Sequence, residues 1–473
     1  METYVQQLLT LFKNMTLNAV GIERDFYKLI SDKDVNKAIG MMQDRHDDVD
    51  EAIKEYNPQT HKVMERPNKR RKGDEPYITE KLPRTRQRYI NEVELFFLLG
   101  ASLQYKKESD SGDEAFALFN EFIRDYRMDS IHREFKRLCG SETEAAIVFH
   151  LESPKEGEIV CKPFIAARST GYDIRPLFDQ YGNLLAFAYG YVVKGVKGGI
   201  QHWDIMTPEY NFECTKGQLG TWEVVPRKNV VGKICAIYGR QPKAWEGAES
   251  RIHREEMMDS HVADTNNYFA DPIAYATADV ISLMGGKERA KVGRLLQYTG
   301  KDSQFGYINP PQSSESRRDE MVNLTSSILF DTFTPDFSYE NIKGLGTLSG
   351  EAIENAMILG FIKRANRMEI YGELFDREAS VIRAILGVLN PNKKKELDEL
   401  KMSINFQSPF TKHKTQLWAS IATLFKSGVC SLETAVSLLA LTDAPEEEVA
   451  KIKQLSQEAA QLQAMAKTPP TQE

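Results

Sequence analysis

The stretch that decides the fold reads Asp331-Thr-Phe-Thr-Pro-Asp-Phe337, then Ser338-Tyr-Glu-Asn-Ile-Lys-Gly-Leu-Gly-Thr-Leu-Ser-Gly350, then a proline-free run to Leu389. On that run Met357, Phe361, Ala365, Met368, Tyr371, Phe375, Ala379, Ile382, Leu386 and Leu389 recur about every 3.6 residues, which puts them in one stripe on an α-helix. Asn390-Pro391 ends the run as a helix exit should. A helix from Gly350 to Leu389, at ~1.5 Å per residue, spans roughly 60 Å, well beyond an ordinary globular helix. Leu348 and Ile353 flank Ser349 at staple positions, so Ser349 is the expected N-cap. A glycine-punctuated loop feeding so long a spine suits a mechanical role better than a catalytic one.

Working outward, 473 residues with 41% hydrophobic and 10% aromatic content read as globular, in about two to four structural units. A net charge of −7 argues against tight, sequence-independent DNA binding by the whole surface, while leaving one face free to meet nucleic acid. Met1-Glu-Thr-Tyr-Val lacks the basic start of a signal peptide, and the longest apolar run, Leu95 to Leu103, is too short for a bilayer. Cys139, Cys161, Cys214, Cys235 and Cys430 are odd in number, scattered and without a CxxC pair, which supports neither a disulfide framework nor a zinc site.

Residues 1–60 pattern as charged helices, with Val5, Leu8, Leu9, Phe12, Phe26, Leu29 and Ile30 apolar. The basic segment Arg66-Pro-Asn-Lys69-Arg70-Arg71-Lys72 reads either as a solvated loop or as a contact for a phosphate backbone or an acidic partner. Helix is expected at Arg86–Leu103, Glu114–Arg127 and His132–Cys139. From Thr143 to Arg240 short β-branched or aromatic runs separated by turn signals predict a β-meander, in which Phe187, Tyr189, Tyr191 and Val193 mark a half-covered strand. Helix returns at Ser250–Met284, with a break at Pro272. Two short strands, Gly293–Tyr298 and Phe305–Ile308, follow, and then a helix at Glu315–Phe333. Three helices near His413–Ser427, Leu432–Leu441 and Glu446–Met465 close the chain.

Motifs for chemistry are scarce. Gly344-Leu-Gly346-Thr-Leu-Ser-Gly350 is neither GxGxxG nor a P-loop, and it follows a helix where both phosphate motifs follow a strand. His253 and His261 with Glu255, Glu256 and Asp259 lack zinc-helix spacing and read as a solvated or subunit-facing helix surface. There is no Gly-x-Ser-x-Gly elbow and no cysteine with a defensible histidine partner. Trp203, Trp222, Trp245 and Trp418 read as core or interface residues. No cofactor or metal is implied.

With its segments in this order, the chain resembles the portal proteins of tailed bacteriophages, the large family of long-tailed phages, from about residue 80 to residue 460. Tyr89-Ile90 through Phe97-Leu-Leu-Gly100 is similar to the family's early helix, and Glu142–Leu151 to its helix-to-strand passage. Asp173-Ile through Tyr181-Gly-Asn183, and His202–Glu209, resemble wing strands, while Met257–Asp271 resembles the first stem helix. Pro335-Asp336-Phe337, Asn341, Gly344, Gly346, Ser349-Gly350 and Ala352 match the most specific motif, and Ser431-Leu-Glu-Thr434 with Glu447 and Glu448 resembles the C-terminal helices. Lys343 and Leu345 stand where the family commonly has small or polar residues, and the first 80 residues match poorly.

The resemblance implies an α+β, mainly α, portal fold with a long spine helix, an antiparallel β wing, stem helices, a small α/β clip and a helical crown. Its parts would be the wing at 1–250, stem helices at 251–284 and 315–334 around the clip at 285–314, and the tunnel loop at 335–349. The spine at 350–389, a wing return at 390–428 and the crown with its tail at 429–473 would follow. It implies a non-enzymatic ring, usually of twelve subunits, at one capsid vertex of the virion, assembled in the bacterial host cytoplasm. Double-stranded DNA would pass through it, and its partners would be terminase, scaffolding and major capsid protein, and neck or head-completion proteins, with no membrane. Asp336, Asn341, Lys343, Gly344 and Gly346 would line the channel above the cap Ser349-Gly350. Lys291, Arg294, Tyr298, Phe305 and Tyr307 would mark the docking clip, whose strands are short enough to need completion by a neighbouring copy. Apolar spine residues beyond the stripe, Ile353, Ile358, Ile362, Ile370, Val381 and Ile385, are expected in part between subunits. The other readings are a different capsid or neck structural protein, and a packaging enzyme, which the missing phosphate-loop motifs disfavour.

Overall fold

A computed structural model of the chain describes residues 25–68, 78–108, 112–155, 158–195, 198–217, 220–270, 274–276, 305–307, 314–338, 343, 357–409, 414–439 and 448–456. The chain divides into two compact units, 1–338 with 357–407, and 339–356 with 408–473. The helices of the first unit are α1 Val35–Gly40, α2 His46–Tyr56, α3 Arg86–Leu99, α4 Asp113–Asp125, α5 Met128–Glu142, α6 Glu249–Ala270, α7 Ser314–Asp331, α8 Ile358–Leu389 and α9 Lys394–Glu399. Its strands are β1 Gln104–Lys107, β2 Glu144–Lys155, β3 Glu158–Ala166, β4 Asp173–Phe178, β5 Leu184–Gly195, β6 Gly198–Met206, β7 Tyr210–Lys216, β8 Trp222–Lys228, β9 Ala236–Arg240, β10 Ala274–Ala276, β11 Phe305–Tyr307 and β12 Met402–Asn405. The second unit holds α10 Lys414–Lys426 and α11 Leu432–Leu439.

The expected single meander is two antiparallel sheets, β3-β2-β9 and β4-β5-β6-β7-β8. The turn after β3 separates them. Thr170 donates its hydroxyl to Ala167 O (2.8 Å) and Gly171 sits at φ 90°, which sends β4 into a new sheet. The strand β5 is not half-covered. Phe187 and Tyr189 pack into the main core, while Ala186 and Ala188 face Phe26, Ile30, Val35 and Ala38 on the other side. Gly190 makes room for its cross-strand neighbour on β6: a Cβ there would stand 2.8 Å from the Trp203 ring. Toward its hairpin tip β5 emerges, and Val192 and Val193 are exposed.

Two other expectations change. The helix from Arg86 stops at Leu99, and β1 pairs instead with β12, about 300 residues away in sequence. The helix from Glu249 stops at Ala270, and Ala274–Ala276 is a strand that pairs with Phe305–Tyr307. The predicted partner Gly293–Tyr298 lies outside the described residues.

The long helix α8 is present over its described length. Its stripe residues Met357, Tyr371, Phe375, Ala379, Ile382 and Leu386 are buried, whereas Ala365 is exposed. Val381 and Ile385, expected at a subunit contact, are buried in their own core, because α8 beds on α3, α4 and α9 and on the β3-β2-β9 sheet. Ile358 and Ile362 remain exposed, and Ile353 lies outside the described residues. In the second unit α10 packs on α11, and Gly428 at φ 74° ends α10. Ser431 Oγ accepts from Thr434 N (3.2 Å) as the cap of α11, and Lys453 pairs with Glu433 at 2.8 Å.

Candidate functional site

The motif Thr334-Pro335-Asp336-Phe337 forms a braced turn where α7 ends. Pro335 cannot continue a helix, and Thr332 Oγ1 turns back onto Ile328 O (2.8 Å) and meets Thr334 Oγ1 (2.9 Å). Tyr89 on α3 clasps the turn from both sides, donating to Pro335 O (2.8 Å) and accepting from Phe337 N (2.7 Å). The Phe337 ring stacks on Phe97 of α3 at 6.4 Å, and Phe97 meets Phe361 of α8 edge-on at 5.4 Å. Gly360 leaves just enough room, since a Cβ there would lie 2.3 Å from the Phe97 ring. Pro335–Phe337 and Gly360–Phe361 are therefore both held against α3. Asp336 is exposed and its Oδ1 accepts from Ser338 N (2.8 Å), and Lys343 is exposed. Asn341, Gly344, Gly346, Ser349 and Gly350 lie outside the described residues.

Beneath the turn lies a buried ionic cluster that no sequence motif marks. Glu94 of α3 is 1% exposed and holds Lys136 of α5 at 2.7 Å, Lys363 of α8 at 3.1 Å and Arg367 of α8 at 3.0 Å. Gln241 adds a hydrogen bond at 3.0 Å and Asn91 supports Lys136 at 3.1 Å. Burial pushes the Glu94 carboxyl up, but Lys136, Lys363 and Arg367 together overcome it and hold it well below the usual carboxylate range. Burial also pulls the Lys363 amine down to about 8, with Glu94 offsetting only part of that pull. One carboxylate thus joins three helices and fixes the first turns of α8. Further along, His132 and Glu378, both 1% exposed, pair at 2.7 Å. The only sequence signal for this cluster is charged residues falling on otherwise apolar helix faces.

The His/carboxylate cluster of α6 is not a solvated surface, as the sequence suggested. Residues 61–68 and 78–86 lie along α6 and cover its carboxylates: His61 meets Glu256 at 2.6 Å, and Glu255 gathers Arg84, Arg86 and Thr325 within 2.7–3.0 Å. Leu82 N donates to Ser260 Oγ at 3.0 Å and Glu80 N to Asp264 Oδ1 at 2.7 Å. Glu255 and Glu256 are almost fully buried because arginines and backbone N–H groups arrive from distant sequence. Arg66 belongs to the same strap. It is 7% exposed and binds Asp264 at 2.8 Å, so it is a structural residue and not a phosphate contact. Lys69, Arg70, Arg71 and Lys72 lie outside the described residues.

Among the clip residues, Phe305 and Tyr307 stand on β11, while Lys291, Arg294 and Tyr298 lie outside the described residues. Trp203, Trp222 and Trp245 are buried in the core. Burial pushes the Cys139, Cys161, Cys214 and Cys235 thiols up to about 12, far from nucleophilic use at neutral pH. Among the described residues no three His, Cys, Asp or Glu side chains converge on a metal-sized site, and no helix is long and apolar enough to cross a membrane.

The family model described as "Phage portal protein, SPP1 Gp6-like" matches residues 37–462. Among solved structures, the chain is similar to one from the neck of an empty gene transfer agent particle computed with C6 symmetry. That match has 12% identity and a TM-score of 0.45, covering 76% of this chain and 92% of that one. It is similar also to one from the neck of the native particle computed with C12 symmetry, at 12% identity and a TM-score of 0.41, covering 74% and 88%. A third likeness, to a chain of the native gene transfer agent virion, has 11% identity and a TM-score of 0.40, covering 75% and 89%. No curated protein sequence matches the chain. A family match across most of the length settles the kinship: the chain belongs to the SPP1 Gp6-like phage portal protein family, and its role is that of a portal and head–tail connector.

Proposed function

We propose that this portal protein acts as a closed ring, of twelve copies, whose axial channel passes double-stranded DNA during packaging and ejection at one capsid vertex of the virion. It does so without catalysing a reaction of its own. The observation that supports this most directly is the clasped turn. Tyr89 and Phe97 of one helix hold both described flanks of the proposed loop, Pro335 and Phe337 on one side and Gly360 and Phe361 on the other. Asp336, Asn341, Lys343, Gly344 and Gly346 then form the tunnel loop, with Ser349-Gly350 as its cap, and twelve copies of Lys343 ring the axis. Such a ring touches phosphates without reading sequence, and it must do so weakly if DNA is to slide.

In this reading α6 and α7 are the stem, β10–β11 opens the clip that docks terminase and later neck or head-completion proteins, and the two sheets belong to the wing. Within this reading the strand β10 at Ala274–Ala276, which pairs with β11, would add to the clip taken as 285–314. Scaffolding and major capsid protein surround the ring, which assembles in the host cytoplasm. Mass photometry tests the reading: twelve copies of 53.8 kDa weigh about 650 kDa. A concentrated sample that stays at the mass of one or two chains overturns it. Replacing Gly344 and Gly346 by valine should leave the ring intact and slow DNA packaging, because glycine lowers the cost of alternative loop conformations. Packaging at the wild-type rate by that variant would remove the loop from the channel's moving parts.

A further inference from the structure

Residues 78–84 lie on α6 in a fixed register. The backbone N–H groups of Glu80, Leu82 and Arg84 donate to Asp264 Oδ1 (2.7 Å), Ser260 Oγ (3.0 Å) and Glu256 Oε1 (2.9 Å). Every second residue of the segment therefore meets every fourth residue of the helix. Such alternation is that of an extended chain. The spacings agree, since two extended residues advance about 6.6 Å and four helical residues about 6 Å. Helix side chains here stand where a neighbouring strand would offer carbonyls. The segment is thus held as an extended peptide ligand is held, through its main chain. Its side chains add polar contacts. Arg84 pairs with Glu255 at 3.0 Å and with Asp259, Lys81 donates to Met64 O at 2.8 Å, and Glu80 accepts from Asn267 at 2.8 Å.

Apolar contact adds little to this hold. Ile78 is 75% exposed and Leu82 41%, and Pro83 is half-buried. Toward its start α6 is fixed differently, by a buried cluster that Ile252 shares with Ile90 of α3, Ile328 of α7 and Trp245. Each buried carboxylate that the segment touches also has a second partner outside it. Glu255 keeps Arg86 at 2.7 Å and Thr325 at 2.9 Å, Glu256 keeps His61 at 2.6 Å, and Asp264 keeps Arg66 at 2.8 Å. Breaking a buried ion pair is costly chiefly because one charge is left without a partner. Lifting residues 78–84 strands none of these three carboxylates, and it returns Arg84 and Asp259 to water.

We propose that residues 78–84 are a releasable strap, which lifts from α6 as a unit while α3, α6 and the contacts of His61 and Arg66 stay in place. Release undoes the main-chain tie between α6 and the chain entering α3, the helix that braces the 335–337 turn, without unfolding either helix. It stands apart from the ring reading, since every group involved belongs to one chain. Amide hydrogen exchange of the full chain, measured over a series of urea concentrations below the unfolding transition, tests it. The Glu80, Leu82 and Arg84 amides should exchange through an opening that hardly depends on urea, because little apolar surface is uncovered. Amides in the middle of α3 and α6 should show a steep dependence. Ser260→Ala, which removes the acceptor of Leu82 N, should speed exchange at Glu80 and Arg84 about tenfold, and Leu82→Ser should speed it less. Strap amides that share the protection and the urea dependence of α6 overturn the proposal, since the segment then leaves only when the helix unfolds. Exchange at the rate of a free peptide overturns it too, because the segment is then not held. Wild-type rates at Glu80 and Arg84 in Ser260→Ala show that the segment does not lift as a unit. A larger effect of Leu82→Ser than of Ser260→Ala makes apolar packing the hold, and either result sinks the strap.

Discussion

Replacing Glu94 and replacing Lys363 should act in opposite directions, although the two side chains form one ion pair. Glu94→Gln leaves Lys136, Lys363 and Arg367 facing each other in the interior, two of them nearly without solvent. Removing one partner of a buried pair costs about 3–5 kcal/mol, and three stranded cations place this case at the upper end. Lys363→Met instead removes a charge that the interior disfavours. Its amine falls from 10.5 to about 8, and at ~1.4 kcal/mol per pH unit that gap caps the relief at about 3 kcal/mol. Losing the 3.0 Å bond from Lys363 Nζ to Ala244 O returns about 1 kcal/mol, so the net gain is about 1–2 kcal/mol. The pH dependence follows. The folded-state value of Lys363 lies below the unfolded one, so at this group the folded chain binds fewer protons between about 8 and 10.5, and its contribution to stability rises with pH across that window. Urea unfolding of the unassembled chain at about pH 7 and about pH 9.5 measures both effects. The buried thiols, raised by burial, and Lys136, lowered by it, also respond to pH but are present in both chains, so the difference isolates Lys363: wild type should gain stability relative to Lys363→Met between the two conditions. The reasoning fails if Glu94→Gln costs less than about 1 kcal/mol, or if Lys363→Met destabilises as much as Glu94→Gln.

Tyr89→Phe removes both clasps on the 335–337 turn and should cost about 1–2 kcal/mol, with faster amide exchange at Phe337 and Ser338 while α3 stays protected. Gly360→Ala drives a methyl into the Phe97 ring, which Phe96, Phe337 and Phe361 hold in place, and should destabilise by about 1–3 kcal/mol; differential scanning calorimetry decides it, and an unchanged transition counts against the tight fit. An aromatic disulfide reagent at neutral pH should titrate one thiol quickly, the half-buried Cys430. Cys139, Cys161, Cys214 and Cys235 should react only on unfolding, since burial holds their thiols protonated.

The sequence by itself determined what depends on neighbours along the chain. The stripe from Met357 to Leu389 and the stop at Pro391 fixed the spine helix, because a helix is specified by a 3.6-residue period and a missing N–H. Alternation and glycine turns located β2, β3, β5 and β6 for the same local reason. The linear order of these segments carried the family resemblance. Only the tertiary structure decided what depends on partners far away. It split the β region into two sheets, paired β1 with β12, gave β10 to β11, and showed Val381 and Ile385 as core and not contact. It also showed Glu94 as a buried anchor, and made buried anchors of Glu255 and Glu256, read along the chain as a solvated or subunit-facing surface, and of Arg66, read as part of a solvated loop or a phosphate or partner contact. A carboxylate's place depends on which cations fold around it, and Glu94 receives one partner from 42 positions away and two from about 270. Periodicity has no access to separations of that kind, whereas the free energy of burying a charge is set almost entirely by them.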